Sequence, residues 1–212
     1  SKEEWECPGE FLALTSLGRV YKAAPINFQE ENPIDACREA FGKALKALQA
    51  HQISQIALWL PEGDLNLWKG LFEIPVLMSF DPAPYKTRKE DKKPFTISHV
   101  TFFHPNPGKA KSAAQTLTRT QILAEGVNLA RRLSHEPANL LRPQEFAKEA
   151  IALKKWGIHV SELSPGNLKK MGGLQAVGMG SANPPRFMVL KLNPGKGKPI
   201  VLVGKGVTFD AG

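Results

Sequence analysis

Lys198 to Gly212 read KPIVLVGKGVTFDAG, and the prediction of the fold class starts from this stretch. Its apolar run Ile200–Val203 is short, rich in β-branched residues, and bounded by a proline and a glycine. Such a run is typical of a strand buried on both faces, so we expect a central strand here. Lys205 and Asp210 follow the run in a glycine-containing loop, at the sheet edge where α/β proteins place their chemistry.

The lysine and the carboxylate, five positions apart, allow two interpretations. In the first, the two residues bind metal. Asp210 would supply a hard oxygen ligand of the kind that bridges two divalent ions in many hydrolases, and Lys205 would join it as a neutral amine once the lysine is desolvated. Alternatively, Lys205 and Asp210 form a buried ion pair with no ligand between them. The residues by themselves leave both interpretations open.

Spacing excludes three other kinds of site. A phosphate loop needs a glycine where this chain has Pro199 and a Ser or Thr where it has Gly206. The Gly-x-Gly at residues 178–180 is followed by Asn183 instead of the third glycine of a dinucleotide fingerprint. No Gly-x-Ser-x-Gly elbow occurs. NTPase, dehydrogenase and α/β-hydrolase functions are therefore disfavoured.

Upstream of the quoted stretch, helices and strands alternate. The elements predicted there are a helix from Pro143, a strand over Ile158–Val160, a short helix over Pro165–Met171 and a strand over Phe187–Leu192. This alternation indicates a mostly parallel sheet with helices on its faces, although the last two strands could also pair as a hairpin.

The first half of the chain predicts a second α/β domain. Its expected elements are a hairpin of Phe11–Leu14 and Arg19–Ala23, an amphipathic helix over Ile34–Gln52, a strand over Ile53–Leu60, a helical stretch over Leu65–Phe80 that Pro75 kinks or ends, and a strand over Phe95–Phe103. A helix over Thr120–Leu133 is expected to link the two domains. We predict the boundary after the breaker at residues 104–108, giving domains 1–109 and 110–212.

Composition narrows the classes of function. The chain has 212 residues and a net charge of +8, which raises the question of nucleic acid. However, the densest basic run, Lys86–Lys93, is interrupted by acids and contains no aromatic residue, so a solvated loop is expected. Cys7 and Cys37 lie far apart and match no metal or disulfide spacing, which favours a reducing cytoplasm. No leader or membrane-spanning run is present, and the ends at Ser1 and Gly212 suggest part of a longer protein.

The motif VLVGKGVTFDAG resembles the strand-loop signature of the leucyl (cytosol) aminopeptidases, a family of two-metal peptidases. Upstream residues support the resemblance in the family's order: Asn128–Leu133 leading to Glu136–Asn139 and Pro143, then the glycines from Gly172 to Gly180, then Pro184–Phe187. Together these motifs cover Gln121 to Gly212. In the N-terminal part the resemblance is limited mainly to Tyr85–Thr87 and the charged residues after it.

The resemblance implies an α/β fold: an N-terminal macro-like α/β domain, a linking helix, and the first part of a C-terminal α/β catalytic domain with a mostly parallel central sheet. It also implies a cytoplasmic hexamer that removes leucine-like N-terminal residues from peptides. Lys205 would ligate one of two divalent ions, zinc or manganese, and Asp210 would contact both. The ions would hold the attacking water and polarise the scissile carbonyl.

In this family the remaining metal ligands and an assisting arginine follow the motif. We therefore expect the 212-residue chain alone to be inactive and to bind metal poorly. The alternative function is non-catalytic: DNA binding, since some bacterial relatives bind DNA, or phosphate recognition by the macro-like domain. DNA remains the less favoured partner because the basic residues are not clustered in sequence.

Overall fold

A computed structural model describes residues 12–15, 20–22, 32–50, 52–60, 65–82, 84–88, 96–192 and 195–208, the first two segments as backbone. The chain separates into two compact units, Ser1–Arg132 and Leu133–Gly212, called here the N-terminal and the C-terminal unit. The division between them falls near the end of a long helix, Pro107–His135. The predicted domain boundary at residue 109 stays a prediction.

The N-terminal unit is built on a four-stranded sheet. Its strands are β1 (Leu12–Thr15), β2 (Val20–Lys22), β3 (Gln55–Trp59) and β4 (His99–Phe103), in the order β2-β1-β3-β4. β1 pairs antiparallel with β2 and β3, whereas β3 and β4 pair in parallel, with Ile56 opposite Val100. The predicted hairpin and the two further strands are confirmed, each within its predicted range or one residue from it.

Three helices accompany this sheet: α1 (Pro33–Ala50), α2 (Leu65–Met78) and α3 (Pro107–His135). α1 begins where Asn32 caps it, because the Asn32 side-chain oxygen accepts the Ile34 backbone N–H at 3.2 Å. α2 lies between the two parallel strands in sequence and provides their crossover. It continues past Pro75 to Met78, so Pro75 does not end the helix.

α3 is longer than the predicted linking helix and begins inside the predicted breaker. Asn106 is the reason, because its side-chain oxygen accepts the Gly108 and Lys109 backbone N–H groups at 2.9 and 3.2 Å. Pro107 then occupies the first helical position, where its missing N–H costs nothing. The Asn-Pro-Gly sequence therefore starts a helix, although the same residue types are typical of a turn.

The core of the N-terminal unit lies between α1, α2 and the sheet. Its buried apolar side chains are Ala36, Cys37, Phe41, Leu45, Leu48, Ile53, Ile56, Leu58, Leu60, Trp68, Leu71, Phe72, Ile97 and Ala113. The predicted amphipathic character of α1 is confirmed, because Cys37, Phe41, Leu45 and Leu48 form one buried face; Ile34, one turn earlier, is only partly buried. Phe72 of α2 packs edge-on against Phe102 of β4, with ring centroids 4.7 Å apart.

α1 and α2 approach closely at Gly70. A Cβ atom at this position would lie 3.1 Å from the Ile34 carbonyl oxygen and 3.3 Å from its Cγ2 atom. Arg38 of α1 spans the same helix pair and donates a hydrogen bond to Glu73. A backbone carbonyl moves less readily than a side-chain tip, so glycine is required at Gly70 for packing and not for a turn.

We predict opposite effects for alanine at two helical glycines. Gly70→Ala should destabilise the N-terminal unit by about 1 kcal/mol, because overpacking of ~1–3 kcal/mol exceeds the gain in helix propensity. Gly126→Ala is the matched control: Gly126 is exposed in α3 with no atom within 4 Å of an added Cβ, so this change should add up to ~1 kcal/mol. Urea unfolding of the two variants checks this, and equal effects at both positions would contradict it.

The C-terminal unit contains α4 (Pro143–Ala152), a 3₁₀ turn (Leu153–Trp156), β5 (His159–Glu162), α5 (Pro165–Leu168), α6 (Gly172–Gly178) and β6 (Met188–Lys191). Pro143 occupies the first turn of α4 as predicted, and Gly157 ends the 3₁₀ turn with φ of 77°. The predicted helix over Pro165–Met171 stops at Leu168. Gly172 and Gly173, predicted to follow a helix, instead begin α6.

The α/β class is confirmed, but the C-terminal strands differ from the expectation in two ways. β5 and β6 pair antiparallel, with Val160 opposite Leu190, so the parallel pairing seen in the chain belongs to β3 and β4. The central strand predicted over Ile200–Val203 is wrong: these residues form no strand and their side chains are 75–93% exposed. A strand buried on both faces needs layers above and below it.

The C-terminal unit as described does not provide those layers. Its buried apolar side chains are Ala147, Val160 and Leu168. Phe146 and Ile151 of α4 are 41% and 43% exposed. The apolar pattern of these stretches therefore predicted a burial that the described residues do not show.

Candidate functional site

The predicted site is centred on Lys205, which lies in the segment 195–208. This segment has no helix or strand, and the Lys205 side chain is exposed. Asp210, the second predicted ligand, lies outside the described residues. The structure therefore places one of the two predicted site residues, and the separation between Lys205 and Asp210 stays untested.

The segment that bears Lys205 passes beside α4. A Cβ atom at Gly206 would lie 3.5 Å from Cε1 of Phe146, an ordinary van der Waals separation. The backbone at Gly206, next to Lys205, thus lies against the aromatic ring of Phe146 in α4. Phe146 therefore packs against this backbone, although its ring remains partly exposed.

The start of α4 carries a compact charged group. Arg142 donates to both carboxylate oxygens of Glu145, from Nε at 3.0 Å and from Nη2 at 3.1 Å, and Lys148 Nζ lies 3.8 Å from the same carboxylate. The Arg142 hydrogen bonds, and then the nearby positive charges, lower the pKa of Glu145. Glu145 is therefore held as an anion by Arg142, and a role as a proton donor near neutral pH is disfavoured.

Residues from two of the sequence motifs that support the resemblance make packing or hydrogen-bond contacts in this unit. Gly178 at the end of α6 allows Pro185 to approach, because a Cβ there would lie 3.0 Å from two atoms of the proline ring. Arg186 donates to Glu162 at the end of β5 with a distance of 2.6 Å. These contacts fix the connection that leads into β6, the strand immediately before the segment containing Lys205.

The described residues do not by themselves fit a pair of divalent ions. Among them, no three His, Cys, Asp or Glu side chains gather into a group that could hold a metal. A single exposed lysine offers one donor atom, whereas such ions take four or more ligands, mostly oxygen or nitrogen. Completion of a dimetal site therefore depends on Asp210 and on residues other than those described.

A contact that the sequence did not predict lies in the motif Asn128–Leu133. Asn128 Nδ2 donates to the Val76 carbonyl at 2.6 Å, and Arg131 Nη1 donates to the Leu77 carbonyl at 3.1 Å. Both carbonyls belong to the last turn of α2, whose final carbonyls have no partner within the helix. The motif was recognised only as a family pattern, but its side chains cap α2. The sequence at the end of α2 gave no local signal for this contact.

Within the part of the chain that the structure describes, neither Cys37 nor His104 indicates a second site. Cys37 is buried in the core, and burial raises the pKa of its thiol, which disfavours the reactive thiolate. His104 lies beside Trp68 with ring centroids 5.2 Å apart, and its Nδ1 accepts the Asn106 backbone N–H at 3.0 Å. His104 also lines a pocket of about 260 Å³ between β4 and α3, which contains no predicted site residue. Cys7 and His51 lie outside the described residues.

The described part of the chain contains no helix that is both long and apolar enough to cross a membrane. Of the basic run Lys86–Lys93, the described portion, residues 86–88, has no regular secondary structure, in agreement with the predicted loop.

Comparison with known proteins gives a family for the C-terminal part. Residues 128–212 match the model of the cytosol aminopeptidase family, catalytic domain, and Lys205 and Asp210 both fall within the match. The probable cytosol aminopeptidase of Rhizobium johnstonii is 43% identical over 140 residues, covering 63% of this chain and 27% of that protein. That of Brucella anthropi is 38% identical over 184 residues, covering 81% and 36%. The chain thus spans about a third or less of the length of these relatives.

Two solved structures have a similar fold. The bottromycin maturation enzyme BotP matches with a TM-score of 0.69 and 23% identity, over 89% of this chain and 41% of that one. A mutant of tomato leucine aminopeptidase matches with a TM-score of 0.71 and 21% identity, over 90% and 39%. At these identities the two likenesses show the α/β fold, and the family rests on the sequence matches.

Proposed function

Because residues 128–212 belong to the cytosol aminopeptidase family, we propose that the full-length protein is an aminopeptidase that removes N-terminal residues, preferably leucine-like ones, from peptides. The resemblance drawn from the motif VLVGKGVTFDAG is confirmed at the level of the family. The observation that supports the activity is the position of the match, which includes the whole loop from Gly204 to Asp210.

The proposal assigns Lys205 and Asp210 to a pair of divalent ions, zinc or manganese. Such ions contribute Lewis acidity toward water and carbonyl groups in hydrolases. One feature of the chain supports Lys205: the glycines on both sides of it would let the backbone come close to a metal ion. The further ligands would come from the greater part of the relatives' length that this chain does not match.

We also propose that the full-length protein works in the cytoplasm and assembles into hexamers. The names of the relatives support the first of these. The exposed apolar run Ile200–Val203 agrees with a catalytic domain that is completed by further layers. A sedimentation measurement on the full-length protein tests the hexamer, and a monomer at micromolar concentration would contradict it.

For the 212-residue chain alone we predict no aminopeptidase activity. A lysine and one carboxylate cannot retain two divalent ions against water, so neither metal nor activity should be found above background. The assay is hydrolysis of a leucine amide in the presence of zinc or manganese, together with metal analysis after gel filtration. Stoichiometric metal or steady hydrolysis by this chain would overturn the prediction.

The positive control for this assay is a chimera. In it, residues 1–212 replace the corresponding part of the Rhizobium johnstonii relative, whose 43% identity in the matched region favours compatible packing. Hydrolysis by the chimera and none by the isolated chain is the expected pair of results. A folded but inactive chimera that binds metal would argue against the proposed function of this chain.

A further inference from the structure

The last turn of α2 follows a proline, which weakens a helix. Pro75 has no N–H group to donate to the carbonyl of the preceding turn, so the helix is expected to kink or end there. α2 nevertheless continues to Met78, and the Ser79 backbone N–H lies 3.1 Å from the Pro75 oxygen and 3.2 Å from the Val76 oxygen. The part of α2 that follows the proline therefore depends on contacts from outside the helix.

Asn128 and Arg131 of α3 supply such contacts. The Val76 oxygen has two lone pairs, and it accepts hydrogen bonds from Asn128 Nδ2 at 2.6 Å and from Ser79 Oγ at 2.7 Å. The Leu77 oxygen accepts from Arg131 Nη1 at 3.1 Å, where the guanidinium charge also complements the negative end of the helix. Two consecutive carbonyls of α2 are thereby bonded to side chains one turn apart on α3.

The two α3 side chains also orient each other. Arg131 Nη1 lies 3.4 Å from Asn128 Oδ1, so the amide presents its oxygen to a cation and its nitrogen to a carbonyl. A flipped amide would place like partners together and lose both hydrogen bonds. Each side chain therefore depends on the other. We call Asn128 and Arg131, with the Val76 and Leu77 carbonyls, the α2–α3 latch.

The latch lies where the two parts of the chain meet in sequence. The N-terminal unit extends to Arg132, whereas the match to the catalytic domain begins at Asn128, so residues 128–132 belong to both. α3 continues through them as far as His135. The buried side chains of this helix are Ala113, Thr120 and Ala124. All three are small and come before the latch, so in the described structure the later part of α3 is held to α2 more by hydrogen bonds than by buried apolar side chains.

We propose that the α2–α3 latch makes the last turn of α2 and the later part of α3 one cooperative element, and that Asn128 and Arg131 are thereby positioning residues of the peptidase. The chain enters its catalytic part through α3. α4, which carries Phe146 against the backbone beside Lys205, begins eight residues after α3 ends. A fixed α3 gives this part of the chain a fixed starting point. The positioning role rests on the proposed peptidase function, whereas the cooperative element does not.

Hydrogen exchange of the 212-residue chain tests the cooperative element. Asn128→Leu keeps the approximate size of the side chain but removes its donor, and Arg131→Met does the same for the guanidinium. Each should speed exchange of the amides at residues 76–79 and 126–132 by about tenfold, as expected for one lost hydrogen bond. The double variant should show less than the product of the two single effects, because the side chains orient each other. If the double variant does not fold, Asn128→Leu alone provides the measurement.

The matched control makes the same chemical changes on exposed residues of the same helix, Gln121→Leu and Arg119→Met. It should leave exchange in both segments within about twofold of the unchanged chain. Faster exchange of residues 76–79 alone in the latch variants would overturn the proposal, because Asn128 and Arg131 would then only cap α2. Equal acceleration by the control would overturn it as well.

The positioning role is measured in the active chimera, well below its unfolding temperature. Arg131→Met should lower kcat for leucine amide by about tenfold with KM unchanged, because loose placement of a site costs rate. Arg131→Lys should recover most of this loss, since it keeps one donor for the Leu77 oxygen. A residue that contributes only to stability would leave kcat at this temperature unchanged.

The two measurements separate this inference from the proposed function. An active chimera whose kcat is insensitive to Arg131→Met would overturn the positioning role while the peptidase function stands. An inactive unchanged chimera would contradict the peptidase function and with it the positioning role. Exchange in the 212-residue chain decides the cooperative element in either case.

Discussion

Replacing Lys205 by alanine in the active chimera is expected to lower the rate of leucine amide hydrolysis by at least about 100-fold. Loss of a residue that only supports a metal ligand already costs 10- to 100-fold, and loss of a ligand itself should cost at least as much. Metal analysis should show a parallel loss of bound ion. The matched control is Lys198→Ala, an exposed lysine in the same segment, which should retain full activity.

The same chimera separates metal ligation from a buried ion pair between Lys205 and Asp210. If the two side chains only pair with each other, Lys205→Met combined with Asp210→Leu should be more stable than either single change and should keep its metal. Ligation predicts the reverse for metal: both single variants and the double variant lose the ion. Full activity of Lys205→Ala, with the metal content unchanged, would sink the proposed role of Lys205.

The elements predicted best from sequence are those whose burial is decided locally. Cys37, Phe41, Leu45 and Leu48 repeat at helical spacing, and the structure buries all four. One stripe of apolar residues on a helix needs only one neighbouring layer, and α2 and the sheet are close in sequence. For that reason the pattern was sufficient without knowledge of the distant parts of the chain.

The predictions that failed depend on partners that are distant or not described. Ile200–Val203 has the composition of a buried strand, yet its burial requires two covering layers, and the described C-terminal unit offers few apolar side chains for them. The start of α3 was missed for a different reason. Asn106 and Pro107 are turn formers and equally good helix starters, and only the hydrogen bonds from Gly108 and Lys109 decide between the two.

For the candidate site, too, the sequence predicts what is local and not what depends on distant residues. The identity of Lys205 and Asp210 was available from the motif, since a local pattern of glycines, a lysine and a carboxylate is visible in sequence. Their neighbours were not, because Phe146 reaches Gly206 from about sixty positions earlier. The position of Lys191 opposite His159 could not be predicted from the sequence either, because it depends on the pairing of β5 with β6.

Leu45→Ala is expected to reduce the stability of the N-terminal unit by about 3 to 5 kcal/mol. Leu45 of α1 has no exposed surface and lies within the cluster that also contains Phe41 and Trp68. Truncation removes three methylene-sized groups from a region closed on all sides, and the cavity adds to the lost transfer energy. Since leucine and alanine differ little in helix propensity, the measured loss reports packing.

Leu123→Ala makes the same chemical change on an exposed part of α3, where the leucine side chain is 63% exposed, and should change stability by no more than about 0.5 kcal/mol. Leu45→Met keeps the volume and should cost less than about 1.5 kcal/mol, which provides a measurable variant if Leu45→Ala fails to fold. Urea unfolding followed by circular dichroism gives all three values. Because the chain has two compact units, the transition of the N-terminal unit should be assigned by its sensitivity to Leu45→Met. Similar losses for Leu45→Ala and Leu123→Ala would show that α1 does not form the core of this unit.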